Sequence, residues 1–176
     1  MPIDSASLRD TLRLWGSGVS IVTTMHEDTE GHHNAGMTVS AFNSLSLDPP
    51  LILICLNKNT TTAQFVEQSG VFAVSILSDD QSALSDRFAG RIELVQHKDR
   101  FHEVPTMTAI TGSPILSDAL AWLDCKIHTR YDGSTHWIVV GEVLATGQRD
   151  FESAPLIYFN RGYHTTTPAL PTSSER

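Results

Sequence analysis

Residues 36–60 read GMTVSAFNSLSLDPPLILICLNKNT, two strand-like segments separated by a double proline. Alternate side chains of an extended strand point to opposite faces. The pattern therefore predicts one face with Met37, Val39 and Ala41 and an opposite face with the small hydroxyl residues Thr38 and Ser40. Such a face suits a flat polar ligand, but an ordinary barrel strand with a solvated face has the same composition.

The second segment predicts a buried strand followed by a helix start. Proline has no N–H to give to a central ladder, so the apolar run Leu51 to Leu56 begins a new strand. Asn57, Lys58 and Thr60 follow where a helix begins, and a helix start presents unpaired N–H groups to an anion. The alternative is a plain N-cap at Thr60 beside an exposed Lys58. The segment matches neither the Walker phosphate loop nor the glycine-rich dinucleotide turn.

Most of the remaining chain predicts antiparallel strands. GVSIVTTM is expected to form a hairpin with one long strand over AGMTVSAFNSLSL, and VFAVSIL forms a further strand. ALAWLDCKIHTRY and HWIVVGEVLATG are strand-length runs joined by a turn at Asp132-Gly133, and PLIYF is expected to close the sheet. The segment AGRIELVQHKDRFHEVPTMT has no clean period and predicts an irregular excursion.

Three short helices are predicted beside these strands. Ser5 is expected to cap the first, and Thr60 to Gln68 forms the second, which closes at Ser69-Gly70. Ser78 with Gln81 has the capping-box spacing for a third that runs to Phe88. Many strands with few helices predict a mainly β fold, a closed or partly closed antiparallel barrel with helical caps.

Composition limits the class of protein. The 176 residues have a formal net charge of −8, 40% hydrophobic and 18% charged residues, which predicts one soluble domain and disfavours nucleic acid as a partner. No apolar run has the length of a membrane span. The first residues, MPIDSASLRD, lack the pattern of a secretion signal, so a cytoplasmic location is expected.

Metal and nucleophile chemistry have little support in the sequence. His32 and His33 are adjacent, but the spacings that supply a closed set of zinc ligands are absent, so no metal is expected. There is no GxSxG elbow, which disfavours a hydrolase. Cys55 and Cys125 lie in strand-like surroundings and are predicted to be small buried hydrophobes.

Two further polar groups are candidates for ligand contact. LSDRFAG places Ser85, Asp86 and Arg87 at the end of the third helix, where Arg87 pairs either with an anion or with Asp86 on the surface. His136 follows the predicted hairpin turn and is a candidate for contact with a substrate at a barrel mouth. A plain hairpin surface residue is the alternative for His136.

The ordered series GVSIVTT, GMTVSAFNSLSLDPPLILICLNKNT, SGVFAVSILSDDQSALSDRFAG, ALAWLDC, STHWIVVGEV and PLIYFNRGYH resembles the short-chain flavin reductases of two-component flavin-dependent monooxygenases. The resemblance runs from about residue 8 to residue 164, and within the group the chain looks most like the reductase partners of aromatic hydroxylases, such as 4-hydroxyphenylacetate and styrene monooxygenases. It implies an antiparallel flavin-binding split barrel with Greek-key character over residues 1–164, and leaves 165–176 as an extended tail.

The same resemblance implies an activity and a site. Such proteins are usually homodimers that pass a hydride from NADH or NADPH to FMN or FAD and supply reduced flavin to a separate oxygenase. A flavin-binding or storage protein without turnover is the alternative. The implied cofactor-binding residues are Met37, Thr38, Val39, Ser40, Ala41, Cys55, Leu56, Asn57, Lys58, Thr60, Ser85, Asp86, Arg87 and Phe88. Those implied on the nicotinamide side are Gly18, His136, Arg161 and Tyr163. One departure is that DRFHEVPTMTAITGSP lacks a tryptophan found there in relatives.

Overall fold

The computed structural model describes residues 3–29, 31–94, 99–149 and 153–167. The α-helices within these ranges are Ser5–Leu12 (α1), Thr61–Ser69 (α2) and Ser82–Phe88 (α3). The strands are Ser17–Gly18 (β1), Ser20–Asp28 (β2), Gly31–Val39 (β3), Phe42–Leu47 (β4), Pro50–Asn57 (β5), Val71–Ile76 (β6), Thr106–Met107 (β7), Ile115–Leu116 (β8), Ala121–Gly133 (β9), His136–Gln148 (β10), Ile157–Phe159 (β11) and Gly162–His164 (β12).

One curved antiparallel sheet carries most of the fold. Its strand order is β3-β2-β6-β9-β10-β5-β4, and β3 near one end also contacts β5 near the other. Alternation fills the interior: Ile52, Ile54 and Leu56 of β5 are buried, while the intervening residues are half-buried. The mainly β, antiparallel architecture predicted from the sequence is confirmed, and closure as a split barrel stays a prediction.

A second hydrophobic cluster lies under α3 and joins the chain ends to the sheet. Phe88 of α3 is fully buried with Ile21, Leu77 and Leu156. Phe101, from the irregular segment after α3, packs edge-on against Phe88 with ring centroids 5.1 Å apart. This cluster fixes α3 beside β3, which positions the cleft described below.

The structure corrects two strand predictions. The expected long strand over AGMTVSAFNSLSL is broken at Ser40 and Ala41, so that β3 pairs with β2 and β4 pairs with β5. The β9–β10 turn is Ser134-Thr135 and not Asp132-Gly133, because Gly133 pairs with His136. Ser134 takes the positive φ of 68°, and the Asp132 carboxylate accepts its N–H at 2.8 Å.

The PLIYF segment does not close the main sheet. Its residues Ile157–Phe159 form β11, which pairs with β1 on one side and β12 on the other in a separate three-stranded sheet. Both edges of β11 are therefore paired, one with β1 and the other with β12. This small sheet brings the β11–β12 turn next to α1.

Helix ends follow the local signals at α2 and depart from them elsewhere. Thr60 caps α2 and Gly70 ends it with φ 73°, as predicted. Asp4, and not Ser5, caps α1, since its carboxylate accepts the Ser7 N–H at 2.7 Å. The Ser78 capping box exists, but it opens a 3₁₀ turn over 79–81 and α3 begins only at Ser82.

The rest of the chain bears on two further expectations. The segment predicted to be irregular, residues 89–108, contains one short strand, Thr106–Met107 (β7), which pairs with β8. Its other described residues form neither helix nor strand, as predicted. No helix in the described ranges has both the length and the apolar character needed to cross a membrane. Most of the predicted tail, residues 168–176, lies outside the described residues, and the division at residue 164 stays a prediction.

Candidate functional site

A cleft with small side chains runs between β3, α3 and the C-terminal strands, and we call it the β3 cleft. Thr38, Ser40, Ser85 and Ala89 form its narrow sides. The Thr38 hydroxyl donates to the Ser85 carbonyl at 2.6 Å, which fixes the spacing of β3 and α3. The predicted hydroxyl face of the strand therefore lines a cavity.

Larger polar side chains close the β3 cleft at its outer side. Tyr163 lies 2.7 Å from the Asp86 carboxylate and 2.9 Å from the Ser85 hydroxyl. Arg91 donates to Asp86 at 2.9 Å and contacts Tyr163 at 3.3 Å and Tyr158 at 3.4 Å. Burial is the main cause that raises the pKa of Tyr163, so its hydroxyl stays a donor at neutral pH.

A second cavity of about 500 Å³ lies farther back along β3, at the start of α2. It is lined by Gly36 of β3, Thr60, Thr61 and Thr62 at the helix start, and Arg100. The Thr60 hydroxyl accepts the Ala63 N–H at 3.2 Å and donates to the Asn57 carbonyl at 2.7 Å. Asn57 and Thr60 thus shape the turn, and residues 60–62 at the start of α2 line the cavity.

Arg100 is a functional candidate that the sequence analysis missed. Its Nη1 donates to the carbonyls of Gly36 and Phe88, both at 2.9 Å, and this ties the irregular segment to β3 and α3. The aperiodic sequence around Arg100 gave no sign of where the chain would place it. Arg91 was missed for the same reason, and Tyr158 was missed because PLIYF was expected in the main sheet and not in the separate three-stranded sheet.

Lys58 lies away from this cavity. Its Nζ donates to the Asp132 carboxylate at 2.6 Å and sits 4.3 Å from the Trp137 ring centroid, while Arg130 lies over the same ring at 4.5 Å. The hydrogen bond from Lys58 is the main cause that lowers the pKa of Asp132. The ammonium is therefore engaged at the β9–β10 hairpin.

Arg87 and Phe88 do not share the β3 cleft with Ser85. Arg87 donates to the carbonyls of Asp99 at 3.1 Å and His102 at 2.7 Å, and Asp86 pairs with Arg91, so the alternative of an Arg87–Asp86 surface pair is not formed. It lines a separate cleft of largely apolar side chains. Helix periodicity is the signal that was overlooked, because residues two apart lie about 200° apart around an α-helix.

Several candidates beside the cleft face the core or the backbone. Val39 and Leu56 have buried side chains, so a ligand can meet them only through main-chain atoms. Met37 is half-buried and packs against the core. Ala41 is exposed and its carbonyl accepts the Cys55 N–H at 3.0 Å. Partial burial raises the pKa of the Cys55 thiol.

The four residues expected on the nicotinamide side fall in two places. Gly18 pairs with Ile157, and Arg161 follows β11 and donates to Asp10 at 2.9 Å, so both lie in the region of Tyr163. His136 instead pairs with Asn57 and contacts the neighbouring Thr135 hydroxyl at 2.9 Å. His136 thus belongs to the β5–β10 end.

Metal ligands do not assemble at either cavity. Across the described ranges no group of three or more His, Cys, Asp and Glu side chains has the geometry to hold a metal ion. Cys55 and Cys125 are free thiols.

Comparison with known proteins identifies the fold family. The model of the flavin reductase like domain matches residues 12–167. The reductase subunit HsaB of a flavin-dependent monooxygenase from Mycobacterium tuberculosis is 32% identical, over 95% of this chain and 88% of that protein. The FMN reductase (NADH) RutF of Stutzerimonas stutzeri is 34% identical, over 93% of this chain and 89% of that protein.

A solved structure agrees with these relatives. The NADH:FAD oxidoreductase SgcE6 of Streptomyces globisporus superposes with a TM-score of 0.83 at 30% identity, over 96% of both chains. A second structure of SgcE6 is a complex with NAD and FAD fragments. The resemblance read from the sequence is confirmed, and the chain belongs to the flavin reductase like family.

Proposed function

We propose that this protein is an NAD(P)H:flavin oxidoreductase that supplies reduced flavin to a separate monooxygenase. The observation that carries the proposal is the course of β3, which passes Gly36 in the cavity at the α2 start and then Thr38 and Ser40 in the β3 cleft. Both cavities are thus parts of one site along a single strand. The names of the relatives HsaB, RutF and SgcE6 support the same activity.

The residues present fit a flavin. A planar ring needs a slot without bulky side chains, and Thr38, Ser40 and Ser85 supply one. A phosphate needs N–H groups and a cation, and the first amides of α2 with the Arg100 guanidinium supply these. Main-chain atoms of 37–41 and 55–57 complete the proposed contacts.

Positioning is the protein's main contribution to the reaction. A flavin held in the β3 cleft would supply the hydride-accepting chemistry, so the residues around it would bind and orient the cofactors. Thr38 and Ser40 would present small side chains to the ring, and the Asp86–Tyr163–Arg91 group holds the outer wall in place. The absence of a nucleophile or acid–base pair from the predicted motifs agrees with this division of work.

The flavin and donor that the protein prefers remain alternatives within the proposal. RutF is named for FMN and NADH, and SgcE6 for FAD and NADH. FMN or FAD is therefore proposed as the flavin, with NADH or NADPH as the donor. A cytoplasmic location, where pyridine nucleotides are reduced by metabolism, is part of the same proposal.

A homodimer is proposed because large apolar side chains are exposed on β4. Leu45 and Leu47 of β4 are 53% and 93% exposed. β4 is also an edge of the main sheet, with one side open to further pairing. Light scattering tests the proposal: wild type should have twice the mass of one chain and Leu47→Asp should shift toward one chain, whereas a monomeric wild type contradicts it.

Anaerobic mixing of the protein with NADH and FMN or FAD tests the activity. Catalytic loss of NADH absorbance with bleaching of the flavin is the expected result. A protein that binds flavin but does not oxidise NADH or NADPH would be the storage protein of the alternative. Binding of no flavin at all would contradict both.

A further inference from the structure

A third depression, the α1 groove, adjoins the β3 cleft and contains most of the local positive charge. It has a volume of about 530 Å³ and is lined by Arg9, Arg13 and Arg161, the aromatic rings of Trp15 and Tyr158, and Ser40. The groove lies between α1, the β11–β12 turn and the end of β3.

The arginines make this groove basic on an acidic protein. The chain has a formal net charge of −8, yet three guanidinium groups line the groove, and among the described residues the carboxylate that pairs with them is that of Asp10. Asp10 pairs with Arg161 at 2.9 Å and more distantly with Arg13 at 3.8 Å. In the described part of the chain Arg9 has no ion pair, so the cluster keeps an excess of positive charge.

The fold holds the cluster in place at both sides. Arg9 and Arg13 are four residues apart and so share one face of α1. The Asn160 N–H donates to the Arg13 carbonyl at 2.7 Å, which ties the end of α1 to the β11–β12 turn that carries Arg161. The three guanidinium groups therefore come together through the tertiary structure.

Ser40 and Tyr158 line both the α1 groove and the β3 cleft, so the two depressions are continuous. The cavity with Arg100 lies toward the other end of β3. A dinucleotide with its nicotinamide in the β3 cleft would extend its phosphates along the α1 groove. Trp15 and Tyr158 offer rings on which a base can stack.

We propose that the α1 groove binds the pyrophosphate of the nicotinamide dinucleotide through Arg9 and Arg13. This inference rests on the proposed function. FAD also has a pyrophosphate. Because its adenylate is joined to the flavin phosphate, which is proposed to lie beside Arg100, the FAD pyrophosphate would extend from the cavity at the start of α2. The nicotinamide dinucleotide therefore fits the α1 groove better than FAD does, because this groove adjoins the β3 cleft at Ser40.

Equilibrium binding tests the inference without turnover. Calorimetry should compare NAD⁺ with nicotinamide riboside, which has no phosphate, on wild type and on Arg9→Gln/Arg13→Gln. We expect the double variant to lose roughly tenfold in affinity for NAD⁺ and little for the riboside. Arg149→Gln, an exposed arginine that donates to the Asp118 carbonyl outside the groove, is the matched control and should bind both like wild type. Equal losses for both ligands, or none, would overturn the inference.

Kinetics then separates the donor from the flavin. With FMN as acceptor, the double variant should raise the KM for NADH roughly tenfold, with kcat retained and with no change for a phosphate-free dihydronicotinamide. A weaker affinity for FAD relative to FMN, with an unchanged KM for NADH, would assign the groove to FAD and overturn the proposal. If the double variant unfolds, Arg9→Gln alone repeats the test, since Arg9 has no ion pair to lose within the described chain.

Failure of the proposed function has a different signature. Wild type would then reduce no flavin with either donor, while calorimetry would still report whether the α1 groove distinguishes NAD⁺ from the riboside.

Discussion

The Tyr163 hydroxyl lies 2.7 Å from the Asp86 carboxylate and so joins the C-terminal strand β12 to α3. Arg91 contacts both groups, at 2.9 Å and 3.3 Å. These contacts connect the last described strand to the wall of the β3 cleft. The C-terminal residues therefore take part in building the site.

Tyr163→Phe should weaken this wall. The variant loses the hydroxyl contacts to Asp86 and Ser85, and we expect about 1 kcal/mol less stability in urea unfolding, because a typical net hydrogen bond contributes that much. The kcat/KM for NADH should also fall several-fold. Tyr158→Phe, which loses a 3.4 Å contact with Arg91, is the control with the smaller expected effect. Equal stability of wild type and Tyr163→Phe would show that the contacts do not stabilise the fold.

Arg100 and Lys58 should differ in their effect on phosphorylated flavins. Arg100→Gln removes the cation at the α2 start, and we expect the Kd for FMN to rise roughly tenfold with little change for riboflavin, as measured by flavin fluorescence. Lys58→Gln should change the FMN to riboflavin ratio less, because Lys58 is paired with Asp132. A larger effect of Lys58→Gln than of Arg100→Gln on the FMN to riboflavin ratio would indicate that Lys58, and not Arg100, contacts the phosphate.

Bulk at Ser40 should matter more than its hydroxyl. Ser40 lines both the β3 cleft and the α1 groove. Ser40→Ala should leave the flavin Kd within about threefold of wild type, whereas Ser40→Phe should abolish measurable binding by filling the slot. Circular dichroism confirms that both variants are folded. A larger loss in Ser40→Ala than in Ser40→Phe would contradict a steric role.

Gly36 should be intolerant of a methyl group. A Cβ there would lie 2.7 Å from Cε1 of Phe88 and 3.1 Å from Cζ of Phe101, both in the packed cluster under α3. Gly36→Ala should therefore lose about 1–3 kcal/mol in urea unfolding. Gly18→Ala is the matched control, because a Cβ at Gly18 meets no atom within 4 Å. Similar stabilities for the two variants would contradict this account of the packing.

The two thiols should differ in reactivity. Burial, with a smaller effect of Asp124, raises the pKa of Cys125 to about 12, whereas half-buried Cys55 has a smaller rise. At pH 8 a thiol reagent should label the native protein at Cys55 before Cys125.

The raised pKa of Cys125 also predicts a pH dependence of the free energy of unfolding. The contribution of the buried neutral thiol is present below pH 9 and is lost as the pH rises toward 12, and Cys125→Ala should remove that part of the alkaline dependence.

Local signals in the sequence predicted the elements that depend on nearby residues. Alternation correctly placed Thr38 of β3 and Ser40, directly after it, on the cleft side, and the Thr60 cap and Gly70 stop of α2 were both correct. Each follows from residues within one turn or one strand. The general antiparallel architecture followed from the same patterns.

These local signals could not predict contacts between residues that are far apart in the sequence. The salt bridge between Lys58 and Asp132 joins residues far apart in the chain, and Arg100 reaches β3 from an aperiodic segment. Neither has a sequence period that reveals its partner.

A crystal structure of the complex with FMN would test the central claim most directly. The account predicts the ring in the β3 cleft beside Thr38 and Ser40, with the phosphate at the first amides of α2 and Arg100. A flavin bound instead in the apolar cleft beside Arg87, or a cleft filled by other side chains after saturation with FMN, would contradict it.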